Sequence, residues 1–267
     1  MSFISLGLSS SEPPRHVDLS YRLAVGTVLG RTFSTWTANL APFTVLSFVL
    51  MLPTLVGKAC VLLLPDGGSR QMALVVVVSV LEPFAWFALA GVITYGVFQT
   101  MQGRHATLAE NLRGGLARAG HVFGASLLMY LAMVAGLCAC GVPGIYALLM
   151  YWVVVPVAVL ESAGAYEALR RSRELTSGNL WRVFSVVLVV MTLTFGVAHL
   201  SKMLLGVFGL RPPRDLHSRA SVLYQLASTV MLLPLTPLQA ISQLVVYRDL
   251  RVGREGADVE ELVKVFE

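Results

Sequence analysis

Charge is what this sequence most lacks. Only 13% of its 267 residues are Asp, Glu, Lys or Arg, where a soluble domain carries about 25%. With 56% hydrophobic residues and a mean hydropathy of +0.73, the chain cannot cover a globule with polar groups. Much of its surface has to face lipid. The formal charge of +5 would hint at nucleic acid in a soluble protein. Here the basic residues more simply mark loops on the cytoplasmic side of a bilayer, and no nucleic-acid partner is expected. Cysteine is scarce too: three residues give no disulfide framework. Cys138 and Cys140 sit in an apolar block and read as small apolar residues, since a metal pair would need further ligands nearby. The five histidines, His16, His105, His121, His199 and His217, are scattered. Walker loop, HExxH, Rossmann turn and Gly-x-Ser-x-Gly elbow are all missing. No catalytic residue, metal ligand or cofactor is therefore assigned. The start, "MSFISLGLSSSEPPRHVDLS", lacks the basic-then-apolar order of a cleaved signal.

Long apolar runs are what the chain does have. A spanning helix needs roughly 20 largely apolar residues, and six segments qualify, at about 41–64, 73–101, 122–140, 143–159, 183–207 and 220–246. The expectation is an all-α polytopic integral membrane protein. Its six helices form three hairpins, with amphipathic helices at the cytoplasmic interface. It divides into a cytoplasmic tail (1–17), a six-helix membrane domain (18–250) and a second cytoplasmic tail (251–267). The Gly141–Gly144 turn, "GVPG", forces the third and fourth spans into an antiparallel pair. With both termini inside, 14 of the 20 basic residues fall in inner segments and five in outer loops, among them Lys58. Lys202 lies within the fifth span. That bias favours the inside assignment. Three inner segments, "VLGRTFSTWTANLAPFTVL", "NLRGGLARAGHVFGASLL" and "ALRRSRELTSGNLWRVFSVVL", each lead into a helical pair, which suggests a unit used three times.

The densest charge lies in "ESAGAYEALRRSRELTSGNLWRVF", between two apolar runs. From Ala165 to Leu175 the residues are good helix formers. Glu167 is spaced to pair with Arg171, and Arg170 with Glu174. Ser162 is placed to cap the helix and Gly178 to end it. Ala168, Leu169, Ser172, Leu175 and Thr176 share a face, and Trp181 stands where the chain enters lipid. This is the pattern of a helix lying on the inner leaflet.

The same residues carry a resemblance. Pro156, Leu160 and Glu161 are followed by Ala168, Leu169, Ser172, Leu175, Thr176, Gly178, Trp181, Arg182 and Phe184. The ending holds Tyr247, Leu250, Arg251, Glu255, Gly256 and Asp258. This order, with a looser match at the start, "LAVGTVLGRTFSTWTANLAPF", resembles the bacterial family called the glycerophosphoryl diester phosphodiesterase membrane domain, and together these segments cover most of the chain. In that family the membrane part is fused to a separate phosphodiesterase barrel with His and Glu/Asp metal motifs. The six spans leave no room for such a barrel, so the activity is not carried over. What the resemblance implies is a membrane module of the bacterial inner membrane.

Polar residues within the spans are costly and default to functional hypotheses. One reading pairs Glu82 with Lys202 or His199 in a polar cavity. The other lets Lys202 snorkel to the outer interface and leaves Glu82 near headgroups. Gly120 and Gly124 are spaced for a close helix contact, and Pro53, Pro156, Pro234 and Pro237 interrupt or end spans. The leading expectation is a non-enzymatic protein that binds lipid or supports envelope lipid homeostasis. Arg113, Arg170, Arg171 and Arg182 are its candidate contacts to anionic headgroups. Transport or conduction through the intramembrane polar residues is the runner-up, and a scaffold for a partner membrane protein the third.

Overall fold

The computed structural model describes residues 22–65, 68–102, 107–161, 164–209 and 218–255. Among these there are helices and no strand. In chain order the α-helices are α1 Val25–Ala38, α2 Leu40–Leu63, α3 Ser69–Met101, α4 Leu108–Leu116, α5 Ala119–Cys140, α6 Val142–Met150, α7 Val154–Leu160, α8 Ala165–Thr176, α9 Leu180–Val207, α10 Arg219–Leu232 and α11 Thr236–Glu255. Six stretches are long and apolar enough to cross a membrane: α2, α3, α5, α6 with α7, α9, and α10 with α11. The order repeats three times as one short helix followed by two spans. The short helices are α1, α4 and α8. Ser162 lies outside the described residues.

Two spans are broken. The fourth is interrupted at Tyr151–Val153 between α6 and α7, three residues before Pro156. The sixth is interrupted by a 3-10 turn, Leu233–Leu235, between α10 and α11 and flanked by Pro237. Proline withholds an N–H and crowds the preceding turn, so carbonyls at each break lose their helical partner. These are also the two central spans. In their most apolar windows 67% and 61% of residues are buried inside the protein, against 11–39% in the other four. All of α7 is buried, and α11 packs on α1, α2, α3, α7, α8 and α9. Irregular backbone at membrane depth is tolerated only where protein or water covers it, and here protein does.

Side chains from the short helices donate to carbonyls beside both breaks. Ser172 and Thr176 of α8 both donate to the Met150 carbonyl, each at 3.0 Å. The Trp36 indole of α1 donates to the Pro234 carbonyl at 2.9 Å. α4 is fastened differently: Gly114 and Gly115 let its backbone lie directly on Tyr95 and Val92 of α3. Its first turn is a capping box, with Thr107 and Glu110 bonded reciprocally. Those bonds from Thr107 hold the Glu110 carboxyl below its ordinary value, so the box is intact at neutral pH and is lost as pH falls through that lowered value.

Consecutive spans α5 and α6 touch through glycine. A Cβ on Gly136 would stand 2.5 Å from the Gly144 nitrogen and 2.7 Å from its Cα. At the turn between them Gly141 has φ +80°, which favours glycine. The Gly120–Gly124 spacing works otherwise: Gly120 faces open space, while Gly124 would meet the Ala165 Cβ of α8 at 3.1 Å. Gly136→Ala is therefore expected to lower stability by about 1–3 kcal/mol through overpacking against backbone. Gly120→Ala is expected to leave stability unchanged or raise it by up to ~1 kcal/mol. Melting temperatures in detergent, compared side by side, check the contrast.

Candidate functional site

Glu161 follows the last residue of α7, Arg171 sits mid-way along α8, and Tyr247, Arg251 and Glu255 follow one another at i,i+4 along the end of α11. The fold gathers all five. Tyr247 donates its hydroxyl to Glu161 Oε1 at 2.8 Å, and Arg251 donates to the Tyr247 oxygen at 2.8 Å. The Arg171 Nε reaches Glu161 Oε2 at 3.2 Å, and its Nη2 donates to Glu255. Arg251 closes the ring, 3.4 Å from Glu255 and 3.9 Å from Glu161. Two carboxylates thus face two guanidiniums around a fully buried tyrosine. Burial pulls the Arg171 guanidinium down, but the carboxylates of Glu161 and Glu255 outweigh it and hold it above its ordinary value.

Around this cluster lies a second layer. Arg254, buried to 4% exposure, donates to the Glu174 carbonyl and to Ser177 Oγ, capping the end of α8. Gly178 has φ +77°, the left-handed residue that ends the helix. Asn179 accepts the Leu23 N–H at 3.1 Å, tying the start of α1 to the α8–α9 corner. The motif residues 156–178 and 247–255, far apart in sequence, therefore meet at one end of the bundle. The arrangement pairs charges and fixes α8 against α7 and α11. It brings no nucleophile to a base. Among the described residues no three His, Cys, Asp or Glu form a metal-holding group.

The other candidate residues are distributed as follows. Arg170 is exposed and bracketed by Glu167 at 2.9 Å and Glu174 at 3.5 Å. Glu167 thus pairs at i,i+3 with Arg170 rather than at i,i+4 with Arg171, which turns inward to Glu161, while the expected Arg170–Glu174 pair forms. Arg113, on the last turn of α4, is exposed, and Arg182, on the first turn of α9, is half-buried. Trp181 is exposed and meets the Phe184 ring edge-on.

Glu82 pairs with neither Lys202 nor His199. Its partner is Lys58 of α2, at 2.7 Å, and both His199 and Lys202 lie exposed on α9. Lys58 is itself buried and belongs to the span rather than to the outer loop. The sequence placed it six residues from the end of a run and gave no sign of which way it points. Arg251 and Glu255 were expected beyond a boundary at 250, yet α11 continues through Glu255. The i,i+4 series Tyr247, Arg251, Glu255 was the available signal.

Comparison with known protein families, with curated proteins and with solved structures found no match.

Two stability tests follow. Lys58→Met strands a carboxylate and is expected to cost about 3 kcal/mol. The double change with Glu82→Gln returns to within ~1 kcal/mol of the parent, because an ion pair out of water stabilises little beyond a neutral substitute. In the cluster, Glu161→Gln is expected to cost about 2 kcal/mol and Tyr247→Phe about 1 kcal/mol. Glu161→Gln combined with Arg171→Gln should cost less than the sum of the two single changes. Thermal unfolding in mild detergent reads both sets.

Proposed function

We propose that this chain is a non-enzymatic, lipid-binding protein of a bacterial inner membrane. In this reading its six spans form three hairpins, with α1, α4 and α8 on the cytoplasmic face and both termini inside. With Lys58 inside a span, four basic residues remain in the outer loops, which supports that orientation. The resemblance to the phosphodiesterase membrane domain belongs to this proposal too, and the convergence of its motif residues on one cluster supports it.

One observation carries the reading. α8 buries Ala168, Ser172, Leu175 and Thr176 against the bundle and leaves Tyr166 and Arg173 outward, with Trp181 exposed just beyond. Interfacial aromatics beside cations are how peripheral helices meet headgroups. Among the described residues, Arg113, Arg173 and Arg182 have no carboxylate within ion-pair distance. Arg170 and Arg171 do. The headgroup role therefore falls on Arg113, Arg173 and Arg182, at about 1 kcal/mol each. Transport is the second reading, favoured by the Lys58–Glu82 pair, whose lysine is buried and whose carboxylate is half-buried, since intramembrane charge often marks a path.

Native mass spectrometry in mild detergent tests the first reading, using phosphatidylglycerol against phosphatidylethanolamine. Retention of phosphatidylglycerol should drop about fivefold for each of Arg113→Ala, Arg173→Ala and Arg182→Ala. Retention unchanged in the triple variant would remove the headgroup reading and leave transport.

A further inference from the structure

Beside the two broken spans lies a cavity of about 190 Å³, walled by α3, α5, α7 and α11. Trp86, Phe87, Leu89, Ile93, Met129 and Val155 make it largely apolar, and Ser126, Thr236, Gln239 and Gln243 are its polar lining. None of these four is charged. Ser126 is 2% exposed, and its hydroxyl has no partner among the described residues. Gln243 is 6% exposed, and its amide makes no hydrogen bond to a described residue. An unmatched amide and hydroxyl at membrane depth are expensive unless something accepts from them.

The occupant's chemistry follows from the walls. An ion would be stripped of water with no counter-charge to meet it. The space equals roughly six waters, but most of its lining is hydrocarbon. Trp86 and Gln239 at its rim are exposed, and nearby Phe84 and Leu127 face outward, so the mouth opens on lipid. Ser126 is seven residues into α5 from Ala119, about 10 Å along the axis. In the orientation proposed above that is below the headgroups, where the ester carbonyls of a diacyl lipid begin. Broken spans at a protein's centre commonly line such sites.

We propose that this cavity seats the upper acyl chain of a diacyl lipid, with its ester carbonyl accepting hydrogen bonds from Ser126 and Gln243. The site is separate from the arginines of α4, α8 and α9. It rests on the proposed reading for the class of its ligand and for the orientation that sets its depth.

The test compares phosphatidylethanolamines of equal chain length, ester-linked and ether-linked, competing at equal concentration for the full chain in native mass spectrometry. The zwitterionic headgroup keeps the basic surface out of the comparison. The expected result is an excess of the ester lipid of about fivefold, the worth of one net hydrogen bond. The excess should be lost in Gln243→Leu and Ser126→Ala and kept in Arg113→Ala/Arg173→Ala/Arg182→Ala. Equal retention of both lipids by the parent overturns the proposal whatever the variants do, as does an excess that survives Gln243→Leu with Ser126→Ala. If those two variants do not fold, Ser126→Cys, which keeps the size of the side chain and weakens its donor, replaces them. Its expected result is a reduced excess, and an undiminished one overturns the proposal. Loss of phosphatidylglycerol binding with the ester preference intact would sink the headgroup reading alone.

Discussion

A backbone carbonyl with no partner is the constraint around which this fold is arranged. In hydrocarbon it cannot turn to water. The two spans that carry proline-linked breaks therefore occupy the centre, and carbonyls beside the breaks meet donors from other parts of the chain. Met150 meets two hydroxyls of α8, and Pro234 meets the indole of α1. Each of these bonds positions a short helix as well as satisfying an acceptor. α8 must sit where Ser172 and Thr176 reach α6, and α1 where Trp36 reaches the turn before α11. Once α8 is placed, Arg171 lies between Glu161 and Glu255, and the charge cluster forms as a consequence of that docking.

The interior separates its polar groups by kind. Hydroxyls and one indole serve backbone carbonyls. Carboxylates and guanidiniums are matched at the end of the bundle, where Arg171 gains more from two carboxylates than burial takes away. Lys58 and Glu82 form an isolated pair between α2 and α3. Among the described residues Thr94, Asn111 and Trp152 each bury a neutral polar atom without a partner, as Ser126 does, but of these only Ser126 lines the cavity between α3, α5, α7 and α11, where Gln243 joins it. The open space beside Ser126 and Gln243 makes the cavity the place where an outside ligand has something to offer, whereas the carboxylates and guanidiniums of the charge cluster already meet one another.

How far the sequence reveals this depends on what each feature rests on. The six spans were legible because hydrocarbon thickness and composition alone set them, and the described helices cover every expected run. Gly178 was legible because a left-handed turn singles out glycine. The inward face of α8 was legible from spacing. The partners of charged residues were not. Glu167 had Arg170 and Arg171 within equal reach, and which one it takes depends on Glu161, six residues back across a corner. Lys58 was counted with the outer loops, and the close approach of Gly57 to Val78 of α3, which turns that stretch of α2 toward α3, could not be seen in one dimension. The breaks themselves were only half visible: prolines mark where a helix can fail, but not which failures are central.

The same logic bears on what α8 can do. Its outward face is not a plain basic patch, because Arg170 is held by Glu167 and Glu174 in the same helix. A lipid phosphate would have to displace two carboxylates to engage it. Arg173 has no such partner among the described residues, and Arg182 stands in the first turn of α9 with Trp181 beside it. A headgroup meeting this surface would therefore be held at the α8–α9 corner rather than along the helix. That corner is where Gly178 turns the chain and Asn179 anchors Leu23. Binding there would couple to the docking of α8 and α1, and through them to the two breaks that those helices satisfy.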